Sequence, residues 1–270
     1  MKRNIDIYKI TSTAFLMALA IILSRVPFLS TYISIGGVNL VKIGFQEIPL
    51  MIVCLFNGPI YSMIASFGSD LIAALVLPTG PYFPGFTFDA LLLGIFPALF
   101  LKFYKNSQKK FLILYSIAIF LVSTIFMSQI GSLGEIKIGQ YKLALPLWLK
   151  ILFIAGVPFL SLINLVVLVI AERKNKRSYF KLYEIYSVFY IRDILIAPII
   201  APIWFIFLYN IPYSLSYVSQ LLSKFITLPI LSAITMLLVL PLSKVSKNIL
   251  EDTYPVEDAV YSKLINGIKL

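Results

Sequence analysis

Six charged side chains stand inside or beside long apolar stretches: Arg25, Lys42, Glu47, Asp70, Asp89 and Lys224. A charge in hydrocarbon costs several kcal/mol, so each is a candidate for contact with a ligand or an ion. Each also has a plainer reading. Arg25 ends an apolar run, where its guanidinium can equally snorkel to headgroups. Lys42 and Asp89 fall near run ends and are expected at the interface. Asp70 follows Gly68 and Ser69, small neighbours that let helices approach, so a structural hydrogen bond suits it as well as a transport role. Glu47 can pair locally with Lys42, five residues earlier.

The second candidate is the segment Pro78-Thr79-Gly80-Pro81-Tyr82-Phe83-Pro84-Gly85-Phe86. Its three prolines and two glycines forbid a regular helix. Tyr82, Phe83 and Phe86 add aromatic surface without charge. A flat heteroaromatic ligand stacks on such rings at about 0.5–1.5 kcal/mol per contact; the competing reading is an interfacial aromatic belt. Catalysis finds little support. The chain has no His and one Cys, Cys54, in an apolar run, which excludes His-based triads, an intramolecular disulfide and Cys-cluster metal sites.

The elements that must hold these residues are membrane spans. Of 270 residues 60% are hydrophobic and 13% charged, with mean hydropathy +0.93, against about 25% charged in a soluble domain. Crossing about 30 Å of hydrocarbon takes close to 20 residues. Eight apolar runs qualify, the second being short: 11–29, 45–57, 59–77, 86–101, 111–130, 150–171, 190–209 and 218–241. Asn57-Gly58-Pro59 predicts a tight helical hairpin between the second and third. Sustained period-2 alternation is missing, which favours helices over a barrel. The fold class expected is an all-α polytopic bundle with an uncleaved first span and no separate soluble domain.

The net charge of +11 reads as orientation. With the N-terminus inside, 17 of the 23 basic residues fall on the cytoplasmic side together with eight acidic ones, a balance of +9. Arg192, Asp193 and Glu184 are counted there. Both termini are then inside, 242–270 is a cytoplasmic tail, and nucleic acid is not an expected partner. The Pro/Gly segment falls outside.

Ordered features of residues 14–100 resemble the folate family of substrate-binding S components of energy-coupling factor vitamin transporters. They are Ala14-x-x-x-Ala18, Leu23-Ser24-Arg25, Lys42-Ile43-Gly44-Phe45, Ile48-Pro49, Gly58-Pro59, Asp70, and Pro78-Thr79-Gly80-x-Tyr82-Phe83-Pro84-Gly85-Phe86-Thr87 with Gly94. Trp204, Leu208-Tyr209, Pro212 and Leu228-Pro229-Ile230 look like the last two helices of that family. The resemblance implies a substrate-capture subunit without ATPase activity or cofactor, in a prokaryotic plasma membrane. Its implied partners are a folate-like vitamin, a transmembrane coupling subunit and two ATPases. It also implies that Ala14 and Ala18 dock the coupling subunit and that Pro78–Phe86 covers the substrate, with Arg25, Lys42, Tyr82, Phe83, Phe86 and Trp204 as expected ligand contacts.

Three features depart from the family. Six helices are usual there, so 111–187 reads as an inserted helical hairpin between residues 1–104 and 188–241. Ala201 replaces the Asn that precedes the Trp of the penultimate helix. Gln220 stands where a basic residue is expected, with Lys224 one turn on. The competing function is a stand-alone ion-coupled transporter using Asp70 or Glu47, although no clear internal repeat is visible.

Overall fold

The computed structural model describes residues 2–26, 30–35, 38–76, 78, 82–103, 135–138, 141–144 and 182–245, with isolated positions between 114 and 166. Helix α1 (Lys2–Arg25) leads to an antiparallel hairpin of β1 (Ser30–Ile35) and β2 (Val38–Gly44), in which Tyr32 pairs with Lys42. Then come α2 (Glu47–Asn57), α3 (Pro59–Val76) and α4 (Pro84–Phe103). A second hairpin joins β3 (Glu135–Ile138) to β4 (Tyr141–Ala144). Helix α5 (Leu182–Tyr190) runs through a π-helical turn (Ile191–Ile196) into α6 (Ala197–Tyr209), and α7 (Tyr213–Val245) follows.

Five helical stretches among the described residues are long and apolar enough to cross a membrane: Ile7–Arg25, Pro59–Val76, Pro84–Lys102, Glu184–Tyr209 and Tyr213–Leu242. The all-α expectation therefore holds for the spanning elements and is corrected outside them, where two strand hairpins occur. The missed signal for the first was a run of Thr, Tyr and Ile residues broken by Gly36-Gly37, the composition of a tight hairpin. The expected spans 111–130 and 150–171 and most of the expected tail lie outside the described residues. One boundary is corrected: the penultimate helix begins at Leu182 rather than 190, inside the stretch assigned to the insertion.

Helix α2 explains much of the architecture. Its 11 residues rise about 16 Å at 1.5 Å per residue, roughly half the hydrocarbon thickness. Every one of them is buried, so surrounding protein rather than lipid solvates this short helix. Asn57 anchors its last turn by donating to Lys9 O at 3.2 Å, Ser12 Oγ at 2.9 Å and Thr13 Oγ1 at 2.8 Å on α1. Gly58 then turns the chain at φ 87°, a left-handed value that suits glycine, and α3 starts at Pro59 as the sequence predicts.

Small residues let the other helices close around α2. The buried face of α3 is Ser62, Ala65, Ser66, Ser69 and Ala73, while Ile60, Ile64, Phe67 and Leu75 are exposed. That distribution suits a lipid-facing exterior, where close packing rather than the hydrophobic effect joins helices. At the α3–α4 crossing, Ser62 Oγ donates to Gly94 O at 2.8 Å. A Cβ on Gly94 would stand 2.6 Å from Ser62 O. The central core gathers Met51, Leu55, Ile185, Tyr186, Phe189, Tyr190 and Phe225, all buried.

Candidate functional site

Because α2 stops half-way, a space opens beyond its first residue. A cavity of about 280 Å³ lies there, lined by Gln46, Glu47 and Leu50 together with Ala20, Ser24 and Arg25 of α1. Ser66, Ser69, Asp70 and Ala73 of α3 form another wall, and Phe86, Asp89 and Ala90 of α4 a third. Asp193, Ala197 and Ala201 line it at four-residue spacing, one face of a helix descending into it. Gln220 and Lys224 do the same on α7. Eight of the lining side chains are Ala or Ser, which keeps the space open.

At one end, Arg25 reaches across to donate from Nη2 to Ala73 O, tying α1 to α3, while its Nε has no hydrogen-bond partner. Asp70 Oδ2 accepts from Thr87 Oγ1 at 2.8 Å. Asp89 is buried rather than interfacial as the sequence suggested, because Trp204 Nε1 donates to its Oδ1 at 2.8 Å from 115 positions away. Local pattern carries no signal for such a partner. Asp89 Oδ2 has no hydrogen-bond partner.

The aromatic residues of the Pro/Gly segment meet edge-on. Phe83 lies 5.5 Å from Trp204 and 5.6 Å from Phe86, and Phe86 lies 5.7 Å from Phe205, all between ring centroids. A Cβ on Gly85 would come within 2.9 Å of Trp204 and 2.2 Å of Phe83, so glycine is what lets these rings converge. Of the expected stacking residues only Phe86 lines the cavity; Phe83 and Trp204 back it, and Tyr82 is exposed. Pro78 and Pro84 are exposed. Thr79 and Gly80 lie outside the described residues, as does the side chain of Lys42. Ala14 and Ala18 are exposed on α1, away from the cavity.

The other end of the cavity holds a cluster that the sequence reading missed. Lys224 Nζ lies 2.6 Å from Glu47 Oε1 and 3.2 Å from Asp193 Oδ1, with Arg192 beside them on the cavity wall. Glu47 thus pairs with Lys224, while the expected pairing with Lys42 lies outside the described residues. Arg192 and Asp193, expected at the cytoplasmic surface, are buried. They were counted with the loop charges because Arg173, Lys174, Lys176, Arg177 and Lys181 precede them. The available signal was their flanks: Phe189-Tyr190-Ile191 before and Ile194-Leu195-Ile196 after make them a neutral pair inside one apolar run. Their charges cancel, so the balance that set the orientation is unchanged.

The arrangement can bind a small polar or aromatic molecule of mixed charge in a membrane-embedded space. Among the described residues no cluster of His, Cys, Asp or Glu is placed to hold a metal ion. No family model matches the chain, and no solved structure matches it. The chain is 27% identical over 105 residues to the folate transporter FolT of Leuconostoc mesenteroides subsp. mesenteroides, covering 39% of this chain and 51% of the relative. It is 33% identical over 122 residues to the folate transporter FolT of Clostridium novyi, covering 45% of this chain and 64% of the relative. The matches span half to two thirds of these curated relatives, and over that length they bear out the resemblance to the folate family.

Proposed function

We propose that this chain is the substrate-capture subunit of an ATP-driven vitamin importer of the energy-coupling factor type, taking folate or a related planar vitamin from outside. The observation that carries the reading is the cavity beyond Glu47, walled by Arg25, Phe86 and small side chains of four helices, in a chain similar to two folate transporters. With the N-terminus inside, the C-terminal ends of α1 and α3 and the N-terminal ends of α4 and α7 face outward. The cavity then opens toward the outer side beneath the Pro/Gly segment. Arg25 offers a charge-assisted hydrogen bond to a carboxylate or ring heteroatom, the stronger kind of polar contact, and Phe86 offers a ring face. The aromatic cluster behind Phe86 completes the outer rim, and Lys42 is a proposed ligand contact. Ala14 and Ala18 form the docking face for a transmembrane coupling subunit, which brings two ATPases; the chain itself hydrolyses nothing. Multi-pass residence in a prokaryotic plasma membrane follows.

Two measurements test this. Mass spectrometry on ligand retained through purification is expected to find a folate; a chemically unrelated molecule overturns the substrate assignment. Uptake in cells is expected to require co-expressed ATPases and to survive an ionophore. The ion-coupled alternative through Asp70 or Glu47 predicts the reverse, although Glu47 is already engaged by Lys224.

A further inference from the structure

The deep end of the cavity is built as a polar recognition site. Arg192 and Asp193 are 6% and 1% exposed and both line the space. Among the described residues each keeps one atom without a hydrogen-bond partner: Nη1 of Arg192 and Oδ2 of Asp193. Glu47, 5% exposed, keeps Oε2 in the same condition. Lys224 holds the other oxygen of each carboxylate, which draws the two groups together and leaves their second oxygens available. Buried polar groups ordinarily find hydrogen-bond partners, and these three incomplete ones at the deep end, apart from Arg25 and Asp89 at the other, are complementary to something absent.

The backbone contributes to this. Arg192 and Asp193 are adjacent in sequence and both line the cavity. Here both residues lie in the π-helical turn Ile191–Ile196, a wider winding that recurs at functional sites. The free atoms offer two acceptors and one donor. Their complement is a ligand edge with two donors beside one acceptor.

We propose that Asp193, Glu47 and Arg192 recognise the head of a fused pyrimidine ring bearing an amino group, a ring N–H and a ring carbonyl in sequence. The free oxygens of Asp193 and Glu47 accept from the amine and the ring N–H, and Nη1 of Arg192 donates to the carbonyl oxygen. This assignment rests on the folate-like reading above and names the residues that select the head group. It explains why Ala197 and Ala201 are small: they leave a flat ring a path to the floor.

The test is calorimetric titration of the full chain in detergent with folic acid, 6-methylpterin and 6-methyllumazine. The last carries a second carbonyl in place of the amine, so an acceptor would face the carboxylates. The wild-type protein is expected to bind 6-methylpterin about tenfold or more tightly than 6-methyllumazine. Asp193→Asn and Arg192→Lys are expected to lose most of that preference and about tenfold in folic acid affinity. Folic acid binding with equal affinity for the two heads overturns this inference and leaves the capture reading intact. So does unchanged discrimination in folded variants. Failure of the wild-type protein to bind folic acid or either head overturns both readings. Should a variant not fold, the comparison of the two heads on the wild-type protein still decides.

Discussion

Arg25 and Lys224 are both basic residues on the cavity wall, yet their surroundings give them different work. Among the described residues Arg25 has one hydrogen bond, to a backbone carbonyl, and its Nε has no partner, so it has capacity left for a ligand. Replacing it with Ala should weaken folic acid binding by about 1.5–3 kcal/mol, roughly ten- to a hundredfold; Lys102→Ala, on the exposed end of α4, should change it little. Lys224 is committed to Glu47 and Asp193. Removing one partner of a buried ion pair costs about 3–5 kcal/mol because the other charge is left uncompensated. Lys224→Met should therefore lower the thermal unfolding midpoint in detergent sharply. Glu47→Gln combined with Lys224→Met should recover part of the loss, since Asp193 then balances Arg192; equal destabilisation of single and double variants would contradict the cluster as described. Arg25, Phe86, Asp70 and Lys224 were legible as site candidates because a charge or a rigid aromatic segment in an apolar context is conspicuous by itself. Arg192 and Asp193 were not, because a neutral pair close to a basic loop resembles the loop. Asp89 was misplaced because its partner Trp204 is remote in sequence.

At the scale of elements, two features were readable and one was not. The Asn57-Gly58-Pro59 turn and the small-residue face of α3 follow from local chemistry: a left-handed glycine, a proline at a helix start, and side chains too small to hold helices apart. The consequence of a short α2, a cavity above its first residue, depends on how five other helices close around it and has no local signature. Gly94 measures how tight that closure is. Gly94→Ala places a methyl 2.6 Å from a backbone oxygen of α3, and because backbone cannot move aside cheaply, a loss of about 1–3 kcal/mol is expected in detergent unfolding. Ala14→Trp and Ala18→Trp, on the exposed face of α1, should leave folic acid binding unchanged while abolishing pull-down of the coupling subunit and uptake. Assembly that persists in both variants would mean that another face docks.

For the whole molecule, the distribution of charge matters more than its sum. Sorting the basic residues by side is what supports the proposed orientation, in which the cavity and the Pro/Gly segment share the outer end. The buried Lys224–Glu47–Asp193–Arg192 cluster is neutral and leaves that orientation intact. In the proposed function a folate-like vitamin is held in this one cavity. Ala201 lines it and is only partly buried, so Ala201→Phe fills the space without disturbing the Lys224 cluster. Calorimetric titration of the purified wild-type and Ala201→Phe proteins with folic acid tests the claim most directly. Saturable one-to-one binding is expected in the wild type, weakened at least about tenfold in a variant that unfolds at the same temperature. No saturable binding in the wild type, or unchanged affinity in the filled cavity, would contradict it.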